Sequence, residues 1–304
     1  MQFSHQPVLL DEVVSLLKPG VGKVIADGTL GGGGHAEGLL EAGATVIGID
    51  RDPRAVDAAH RRLARFSERF RAVEGNFAEL EDILRREQLL PVDGVLLDLG
   101  VSSAQLEDPS RGFSFQSDGP LDMRMGPAGP TAAELIASTD ERSLEALIRR
   151  YGEERFAKGI ARRLKRSLPR TTAAAVEEVK RAVPRGAWPK HIHVATKTFQ
   201  ALRLAVNREM EALGAVLDEL PRLLTVGGRA AIISFHSLED RKVKEGFRDL
   251  EGRCRCPRDL PVCVCGALGS FSVKTRKAIS PGEAEVRRNP RARSARLRAV
   301  EKLR

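Results

Sequence analysis

The order of apolar and polar positions predicts alternating strands and helices over the first hundred residues. Short runs rich in Val, Ile and Leu predict strands at 23–27, 44–50, 70–74 and 92–98. Apolar positions three and four residues apart predict helices at 10–17, 35–42, 53–65 and 77–88. Strict alternation of this kind is typical of a parallel α/β sheet with helices on its faces.

The alternation stops near residue 105 and resumes in the last third of the chain. Residues 105–130 are rich in Gly, Pro, Asp and Ser, and 131–185 show helical periodicity without a strand-like run. A long predicted helix at 195–219 leads to predicted strands at 229–235 and near 271–275. We therefore predict a discontinuous Rossmann-like domain with a mostly parallel sheet, formed by 1–106 and 205–304, and a mainly helical substrate-recognition domain inserted at 107–204.

The composition is in the range of globular proteins. Hydrophobic residues make up 42% and charged residues 30% of the 304 residues. No stretch approaches the roughly 18 consecutive apolar residues that cross a bilayer, and the first residues lack the basic start of a signal peptide. All four cysteines lie within 254–265, so they cannot form a secreted disulfide framework. We expect a cytoplasmic protein with no membrane partner.

Positive charge is concentrated in two stretches. The net charge is +9, while 141–190 hold 14 basic and 6 acidic residues and 274–304 hold 11 and 3. The rest of the chain is net negative, which favours a polyanion bound at defined places, although two solvated surfaces would show the same pattern. The densest group of cations in the first stretch comprises Arg162, Arg163, Lys165 and Arg166. We expect these side chains to contact nucleic-acid phosphates.

A glycine-rich loop follows the first predicted strand, at the edge where an open α/β sheet binds its ligand. Asp27 precedes the loop, and four glycines occupy 31–34. Gly31, Gly33 and Ala36 also match the dinucleotide fingerprint, so a nicotinamide cofactor and S-adenosylmethionine compete. The carboxylate of Asp27 would repel a pyrophosphate and attract a sulfonium, which favours the methyl donor. A glycine turn that binds nothing is the remaining alternative.

Three more candidate residues follow the next strands. Asp50 ends the second strand, where a carboxylate accepts ribose hydroxyls, and Asp52 is better placed to cap the helix that follows. Phe77 comes after the third strand and could lie against adenine or staple a helix start. Asp98 ends the fourth strand, the usual meeting point of substrate and reacting methyl group in such folds.

Eight strings spread along the chain carry a family resemblance. They are HQPVLL at 5–10, DGTLGGGGH at 27–35, DLGVSSAQ at 98–105, RGFSF at 111–115, DGPLDMRM at 118–125, YGEE at 151–154, TFQALR at 198–203 and SFHSLEDR at 234–241. These strings closely resemble the MraW family of small-subunit ribosomal RNA methyltransferases. The resemblance implies a class I S-adenosylmethionine-dependent enzyme that methylates N4 of a cytidine in the decoding region of 16S rRNA, within a small ribosomal subunit or an assembly particle.

The resemblance also implies which residues form the sites. Carried over by position, the family's cofactor contacts fall on Gly33, Gly34, His35, Asp50, Phe77, Asp98 and Gln105, and the charge argument adds Asp27. We expect RNA to face four residues of the matching strings, Arg111, Phe113, Arg203 and His236. Departures from the usual family pattern fall at Gly126, Val194 and Lys197, all in the predicted substrate region.

The implied reaction needs a group that orients the cytosine amine and accepts hydrogen bonds from it. That amine is a poor nucleophile, because its lone pair is delocalised into the ring. We expect Asp98 or nearby backbone carbonyls to be the acceptors, and we expect the base to be turned out of the folded RNA into the cleft. His236 and Glu239 would line this cleft, unless the segment at 237–240 caps a helix instead.

Two other functions stay open on the sequence alone. A nicotinamide-dependent oxidoreductase would use the glycine loop and Asp50 for a dinucleotide. A non-catalytic RNA-binding assembly factor would keep the same fold and the same basic stretches. Binding of the methyl donor distinguishes the first from a methyltransferase, and methyl transfer to RNA distinguishes the second.

The cysteines form two close pairs, Cys254 with Cys256 and Cys263 with Cys265. Four thiolates in one short loop can hold a structural zinc ion in a closed tetrahedral site. The one-residue gap within each pair is tighter than the usual two-residue gap. Reduced thiols packed in a turn and a labile local disulfide are therefore alternatives to zinc.

Overall fold

The computed structural model describes residues 7–252, 256, 260 and 269–304. Its contacts divide the chain into two compact units, which we call unit 1 (Met1–Gly100 and Glu211–Arg304) and unit 2 (Val101–Met210). The predicted domain boundaries lie a few residues inside unit 2. None of the helices in the described ranges combines the length and the apolar content that crossing a membrane requires.

Unit 1 is built on a seven-stranded sheet with the order β3-β2-β1-β4-β5-β7-β6. Its strands are β1 (Val24–Asp27), β2 (Thr45–Asp50), β3 (Phe70–Glu74), β4 (Val92–Asp98), β5 (Leu224–Ser234), β6 (Phe271–Val273) and β7 (Arg296–Lys302). Strands β1 to β5 pair in parallel, and β7 runs antiparallel to both of its neighbours. The mostly parallel sheet confirms the predicted α/β fold class.

Helices accompany the strands along the chain. They are α1 (Leu10–Leu17), α2 (Gly34–Glu41), α3 (Pro53–Arg62), α4 (Leu80–Arg86), α11 (Glu209–Leu223), α12 (Ser237–Leu250) and α13 (Glu283–Arg288), where α11 begins two residues before unit 1 resumes. In β4, Val95 and Leu97 join one apolar cluster while Leu96 joins another. Successive side chains of a strand point to opposite faces, so both faces of the sheet are buried and the strand is apolar throughout.

Unit 2 is helical in its regular structure, apart from an isolated bridge between Pro120 and Thr171. Its helices are α5 (Ser103–Glu107), α6 (Ala132–Ser138), α7 (Glu141–Gly152), α8 (Ala157–Ser167), α9 (Thr172–Ala182) and α10 (Thr196–Asn207). One apolar cluster, which includes Leu144, Ile160 and Val179, forms its core. Side-chain oxygens of Thr131, Asp140 and Thr171 cap three helix starts, as polar N-cap residues do.

The single long helix predicted at 195–219 is wrong, because the chain breaks it between α10 and α11. Arg208 has a left-handed backbone with φ 50°. The buried amide of Asn207 accepts the N–H of Met125 at 2.8 Å and donates to the carbonyl of Met123 at 2.7 Å. Helical periodicity continues across this point, so the apolar pattern did not indicate the break.

Strand β7 was not predicted, since its residues appear in the sequence as part of a basic tail. Its central residues are buried, and Arg298 points from it to Asp240 on α12 with hydrogen bonds of 2.7 and 3.1 Å. Arg229 on β5 joins Glu301 of β7 in the same way, at 2.9 and 2.6 Å. Charged residues can therefore lie in β7 because each of these two has a partner of opposite charge on a neighbouring element.

Candidate active site

Three carboxylates lie at one edge of the sheet, each near the end of a parallel strand. Asp27 ends β1, Asp50 ends β2 and Asp98 ends β4. Strand β1 pairs in parallel with both β2 and β4, so the three strands end on the same side. The structure thus brings together the acids that the sequence analysis identified at separate strand ends.

Asp27 is almost completely buried, with 1% of its surface exposed. Its Oδ1 accepts the backbone N–H of Thr29 at 3.1 Å. Burial is the main cause that raises the pKa of Asp27 to about 6, and the charges of Asp98 and Asp50 add to it; the charge that His35 carries only when protonated and the hydrogen bond from Thr29 oppose the shift. A carboxyl group in this position binds its proton more tightly than a solvated one.

Asp98 has a buried carboxyl oxygen without a hydrogen-bond partner. The side chain as a whole is 22% exposed, yet Oδ1 is buried and accepts no hydrogen bond from any described residue. Burial, together with the smaller effect of the negative charge of Glu239, raises the pKa of Asp98 to about 7. An unpaired buried oxygen is costly, so this atom is suited to a proton or to a donor group of a ligand.

His35 lies between these acids and the amino-terminal segment. It is 7% exposed, and its Nε2 lies 2.9 Å from the carbonyl oxygen of Val8. A carbonyl oxygen can only accept, so Nε2 carries the proton and Nδ1 faces Oδ2 of Asp98 at 3.7 Å. Burial lowers the pKa of His35, so the ring is uncharged near neutral pH. Within the described residues, neither Asp27 nor Asp98 has a lysine or arginine partner.

Asp50 organises the glycine loop in addition to lining the edge of the sheet. Its Oδ2 accepts the N–H of Gly31 at 2.8 Å, and its Oδ1 accepts the N–H of Asp52 at 2.9 Å. Burial raises its pKa, and the hydrogen bonds from these two N–H groups oppose the shift. Each carboxylate oxygen retains a second lone pair, which leaves acceptor sites for ligand hydroxyls.

Two loop glycines adopt conformations that disfavour other residues. Gly31 and Gly33 have φ values of 50° and 78°, and Gly33 directly precedes α2. A Cβ on Gly33 would also come within 3.0 Å of Leu63, and one on Gly34 within 3.3 Å of Pro7. The loop can therefore present its backbone N–H groups and the start of α2 at the edge of the sheet.

The predicted cap and the predicted staple near β2 and β3 have clear structural positions. Asp52 is the N-cap of α3, since its Oδ1 accepts the N–H of Arg54 at 3.1 Å and Pro53 is the first helical residue. Phe77 begins a single 3₁₀ turn capped by Asn76, and its half-buried side chain packs against the apolar cluster of unit 1. The side chain of Phe77 thus has a packing role at the same edge of the sheet.

Helix α12 starts with a capping box, the alternative that the sequence left open at 237–240. The N-cap is His236, whose Nδ1 accepts the N–H of Glu239 at 3.4 Å. Glu239 is 2% exposed, its Oε2 accepts the N–H of Phe235 at 2.9 Å, and its Oε1 lies 2.9 Å from Nε2 of His236. His236 and Glu239 are therefore held against each other at the end of β5.

Sequence reasoning missed two contributors to the site. The hydroxyl oxygen of Thr29 accepts the N–H of Asp98 at 2.6 Å and so ties the loop to β4. The segment at 7–9 is bound to two helices, because Val8 accepts a hydrogen bond from His35 of α2 and Leu9 donates its N–H to Glu285 of α13 at 2.8 Å. The strings at 5–10 and 27–35 contained these residues, but no local pattern reveals contacts between distant segments.

Four predicted site residues of unit 2 have structural partners within that unit. Gln105 forms a capping box with Ser102, with distances of 3.0 and 3.2 Å. Arg111 donates to the carbonyls of Arg124 and Met125 at 3.1 and 2.8 Å. Phe113 is 8% exposed, and Arg203 forms two hydrogen bonds with Glu209 at 2.9 and 3.1 Å. Their roles toward ligands remain predictions.

The four cations at 162–166 differ in their surroundings on α8. Arg163 lies 3.4 Å from Glu178, and Lys165 donates to the carbonyls of Ile136 and Ala137 at the end of α6, both at 2.8 Å. Arg162 and Arg166 are exposed, and neither has an ion pair within the part of the chain that the structure describes. Of the four cations, Arg162 and Arg166 are therefore the two without a side-chain partner among the described residues of unit 2.

Several cations of the tail at 274–304 are also engaged. Besides Arg298, Lys302 donates to the carbonyls of Pro221 and Leu224 at 2.7 and 2.8 Å, and Lys274 lies 3.4 Å from Glu301. The charge of this stretch thus contributes to the packing of β7. Net charge overstates how many of its side chains are available to a polyanion.

The predicted zinc site falls mostly outside the described residues. Cys254, Cys263 and Cys265 lie in the segments not described, and Cys256 is of intermediate exposure. No group of three metal-binding side chains occurs among the residues that are described.

Comparison with known proteins identifies the family. The model of the MraW methylase family matches residues 2–303. A protein of Myxococcus xanthus (strain DK1622), named ribosomal RNA small subunit methyltransferase H, is 65% identical over 302 residues and covers 99% of this chain and 98% of its own. Proteins of the same name from Anaeromyxobacter sp. (strain K) and Geobacter sulfurreducens are 58% and 50% identical, with at least 99% of both chains covered.

The family model spans almost the whole chain and so includes both units. The matched residues contain the glycine loop, the three carboxylates and all eight strings on which the resemblance rested. The chain therefore belongs to the MraW methylase family, a family of S-adenosylmethionine-dependent methyltransferases.

Proposed function

We propose that this protein transfers a methyl group from S-adenosylmethionine to N4 of a cytidine in the decoding region of 16S rRNA. The observation that carries the proposal is the buried, unpartnered Oδ1 of Asp98 at the end of β4. The names of the relatives, which specify small-subunit ribosomal RNA, support the choice of substrate. We place the reaction in the cytoplasm, where the ribosomal subunit or its assembly particle is present.

The residues at the edge of the sheet fit the proposed donor. Asp27 is buried and Asp98 is partly buried, neither has a fixed cation among the described residues, and a sulfonium would supply positive charge near them. Asp50 retains lone pairs for ribose hydroxyls, and the loop of Gly33 and Gly34 allows close backbone approach. When bound, the donor supplies an electrophilic methyl group on sulfur.

Asp98 is the proposed acceptor of the amine proton. In the reaction a nitrogen–carbon bond forms at N4, the sulfur–carbon bond of the methyl group breaks, and N4 loses one proton. The free Oδ1 of Asp98 can accept a hydrogen bond from the amine and then its proton. With a pKa of about 7, Asp98 is a base matched to neutral pH. His35 then contributes by holding the loop and the segment at 7–9 in place.

Two other functions are less well supported. A nicotinamide-dependent oxidoreductase is less well supported because the dinucleotide fingerprint at Gly31, Gly33 and Ala36 lies in a chain that belongs to a methylase family. A non-catalytic assembly factor would have no need for an acid of raised pKa at the end of β4.

The direct test of the proposed function is mass spectrometry of nucleosides from 16S rRNA of small-subunit particles that were incubated with the protein and the methyl donor. We expect N4-methylcytidine, and its absence would refute the proposal.

Replacing the proposed acceptor should abolish the pH dependence of methyl transfer. In wild type kcat/KM should rise with pH through about 7, since the acceptor of the free enzyme must be ionised. Asp98→Asn should lower kcat by about a hundredfold, in the usual range for a lost general base, and remove this rise. Asp93→Asn is the matched control, because Asp93 lies on the same strand and binds the N–H of Val24. An unchanged pH profile in Asp98→Asn would contradict the assignment.

Replacing the proposed ribose acceptor should weaken donor binding. Loss of a buried carboxylate that accepts two hydroxyls should cost about 2–4 kcal/mol, or roughly thirty- to a thousandfold in affinity. We expect calorimetric titration of Asp50→Ala to show this loss, with circular dichroism unchanged. Asp52→Ala removes the adjacent helix cap and should leave affinity within a few fold. Equal affinity in Asp50→Ala and wild type would remove Asp50 from the site.

The exposed cations of α8 should contribute to RNA binding through charge. Each phosphate contact on single-stranded RNA contributes about −0.7 to the slope of log affinity against log salt. The double substitution Arg162→Ala and Arg166→Ala should therefore make the slope shallower by roughly 1.4, with donor affinity unchanged. The control pair Arg61→Ala and Arg86→Ala removes equal charge from α3 and α4. If both pairs leave the slope as in wild type, α8 does not contact RNA.

A further inference from the structure

The aromatic side chains of unit 2 differ in whether a ring face is available. Phe113 and Phe199 are buried, with 8% and 4% of their surface exposed. The ring of His193 stacks on Phe115 at a centroid distance of 4.7 Å. Arg150 lies over Tyr151 at 5.3 Å and Arg155 over Phe156 at 4.7 Å. Trp188 is the remaining aromatic residue, and among the described residues no ring or cation lies over it.

Trp188 is held in a fixed position with its polar atom satisfied. It follows a 3₁₀ turn at Arg185–Ala187, and its backbone N–H donates to the carbonyl of Arg185 at 3.2 Å. Its indole Nε1 donates to the carbonyl of Val183 at 3.0 Å. Part of the half-buried ring packs against the apolar cluster of unit 2. A side chain that is fixed in this way loses little conformational entropy when a planar ligand stacks on it.

The surroundings of Trp188 are positively charged. No acidic residue occurs between Glu178 and Glu209. Among the cations of this stretch, Lys180 and Arg181 pair with Glu177 and Glu178, while Arg185 and Lys190 are exposed and have no side-chain partner within the described residues. A planar ring with an unengaged cation three residues before it and another two residues after it is suited to a ligand that has both a flat base and phosphates.

We propose that the segment at 184–190 is a binding site for single-stranded RNA, in which a base stacks on Trp188 and adjacent phosphates contact Arg185 and Lys190. The assignment of RNA as the ligand rests on the proposed function. This site differs from the reacting cytidine's site, for which the acceptor is Asp98. It would bind a nucleotide other than the target, and stacking would add to the charge-based binding expected of α8.

Trp188 is the single tryptophan of the chain, so fluorescence excited at wavelengths that tryptophan absorbs and tyrosine does not reports on this segment alone. Titration with decaadenylate should quench the fluorescence, because a stacked base contacts the indole. Inorganic polyphosphate of similar length carries the charge without a base and should leave the fluorescence nearly unchanged. Equal quenching by both polyanions, or quenching by neither, would overturn the stacking proposal.

Binding of decaadenylate to variants gives a second test. Trp188→Leu should bind about five- to a hundredfold more weakly, the range for loss of one stacked base, while Trp188→Phe, which keeps a ring face, should lose less than threefold. Arg185→Ala with Lys190→Ala should weaken binding and make the salt slope shallower, unlike the control pair Arg61→Ala and Arg86→Ala. If Trp188→Leu fails to fold, the comparison of decaadenylate with polyphosphate by wild-type fluorescence still decides the matter. Wild-type affinity in a folded Trp188→Leu variant would overturn the site.

Failure of this site and failure of the proposed function are distinguishable. If wild type forms N4-methylcytidine in 16S rRNA while its fluorescence does not respond to decaadenylate, the stacking site is refuted and the methyl transfer stands. If decaadenylate quenches Trp188 but no methylation of 16S rRNA occurs, the RNA site stands and the proposed function is refuted.

Discussion

Two buried carboxyl groups without a fixed cation impose the main physical constraint on unit 1. Asp27 and Asp98 lie near His35, whose ring is uncharged near neutral pH because burial lowers its pKa. Burial raises the pKa values of the two acids to about 6 and about 7. Negative charge at this edge of the sheet is therefore costly in the free protein. A cationic ligand removes that cost, which links the chemistry of the site to the charge of a sulfonium.

The surrounding structure keeps these acids in place by backbone hydrogen bonds. Thr29 binds Asp98 through the N–H of that residue, and Asp50 binds the N–H of Gly31. Glu239 is held at the start of α12 by the N–H of Phe235 and raises the pKa of Asp98 through its charge. Such contacts fix positions without adding a positive side chain. They preserve the unbalanced charge on which the proposed binding of the donor depends.

Local patterns in the sequence predicted much of the fold and of the site's position. Strands β1 to β4 agreed within a residue, and the role of Asp52 as a helix cap was recognisable because caps depend on neighbours only. Contacts between distant segments were not predictable in this way. The hydrogen bond from Leu9 to Glu285 and the pair of Arg298 with Asp240 depend on how the chain folds back, and they explain why acidic and basic residues of the tail are structural. The sequence also could not show that Oδ1 of Asp98 lacks a hydrogen-bond partner, because this depends on which segments surround the end of β4.

The most direct test of this constraint is the number of protons released when ligands bind. Titration calorimetry at pH 6.5 in buffers of different ionisation enthalpy measures that number for S-adenosylmethionine and for S-adenosylhomocysteine, which lacks the sulfonium charge. If the acids with pKa values of about 6 and about 7 face the sulfonium, binding of S-adenosylmethionine should release more protons than binding of S-adenosylhomocysteine. Equal proton release by the two ligands would contradict the central role of these carboxyl groups.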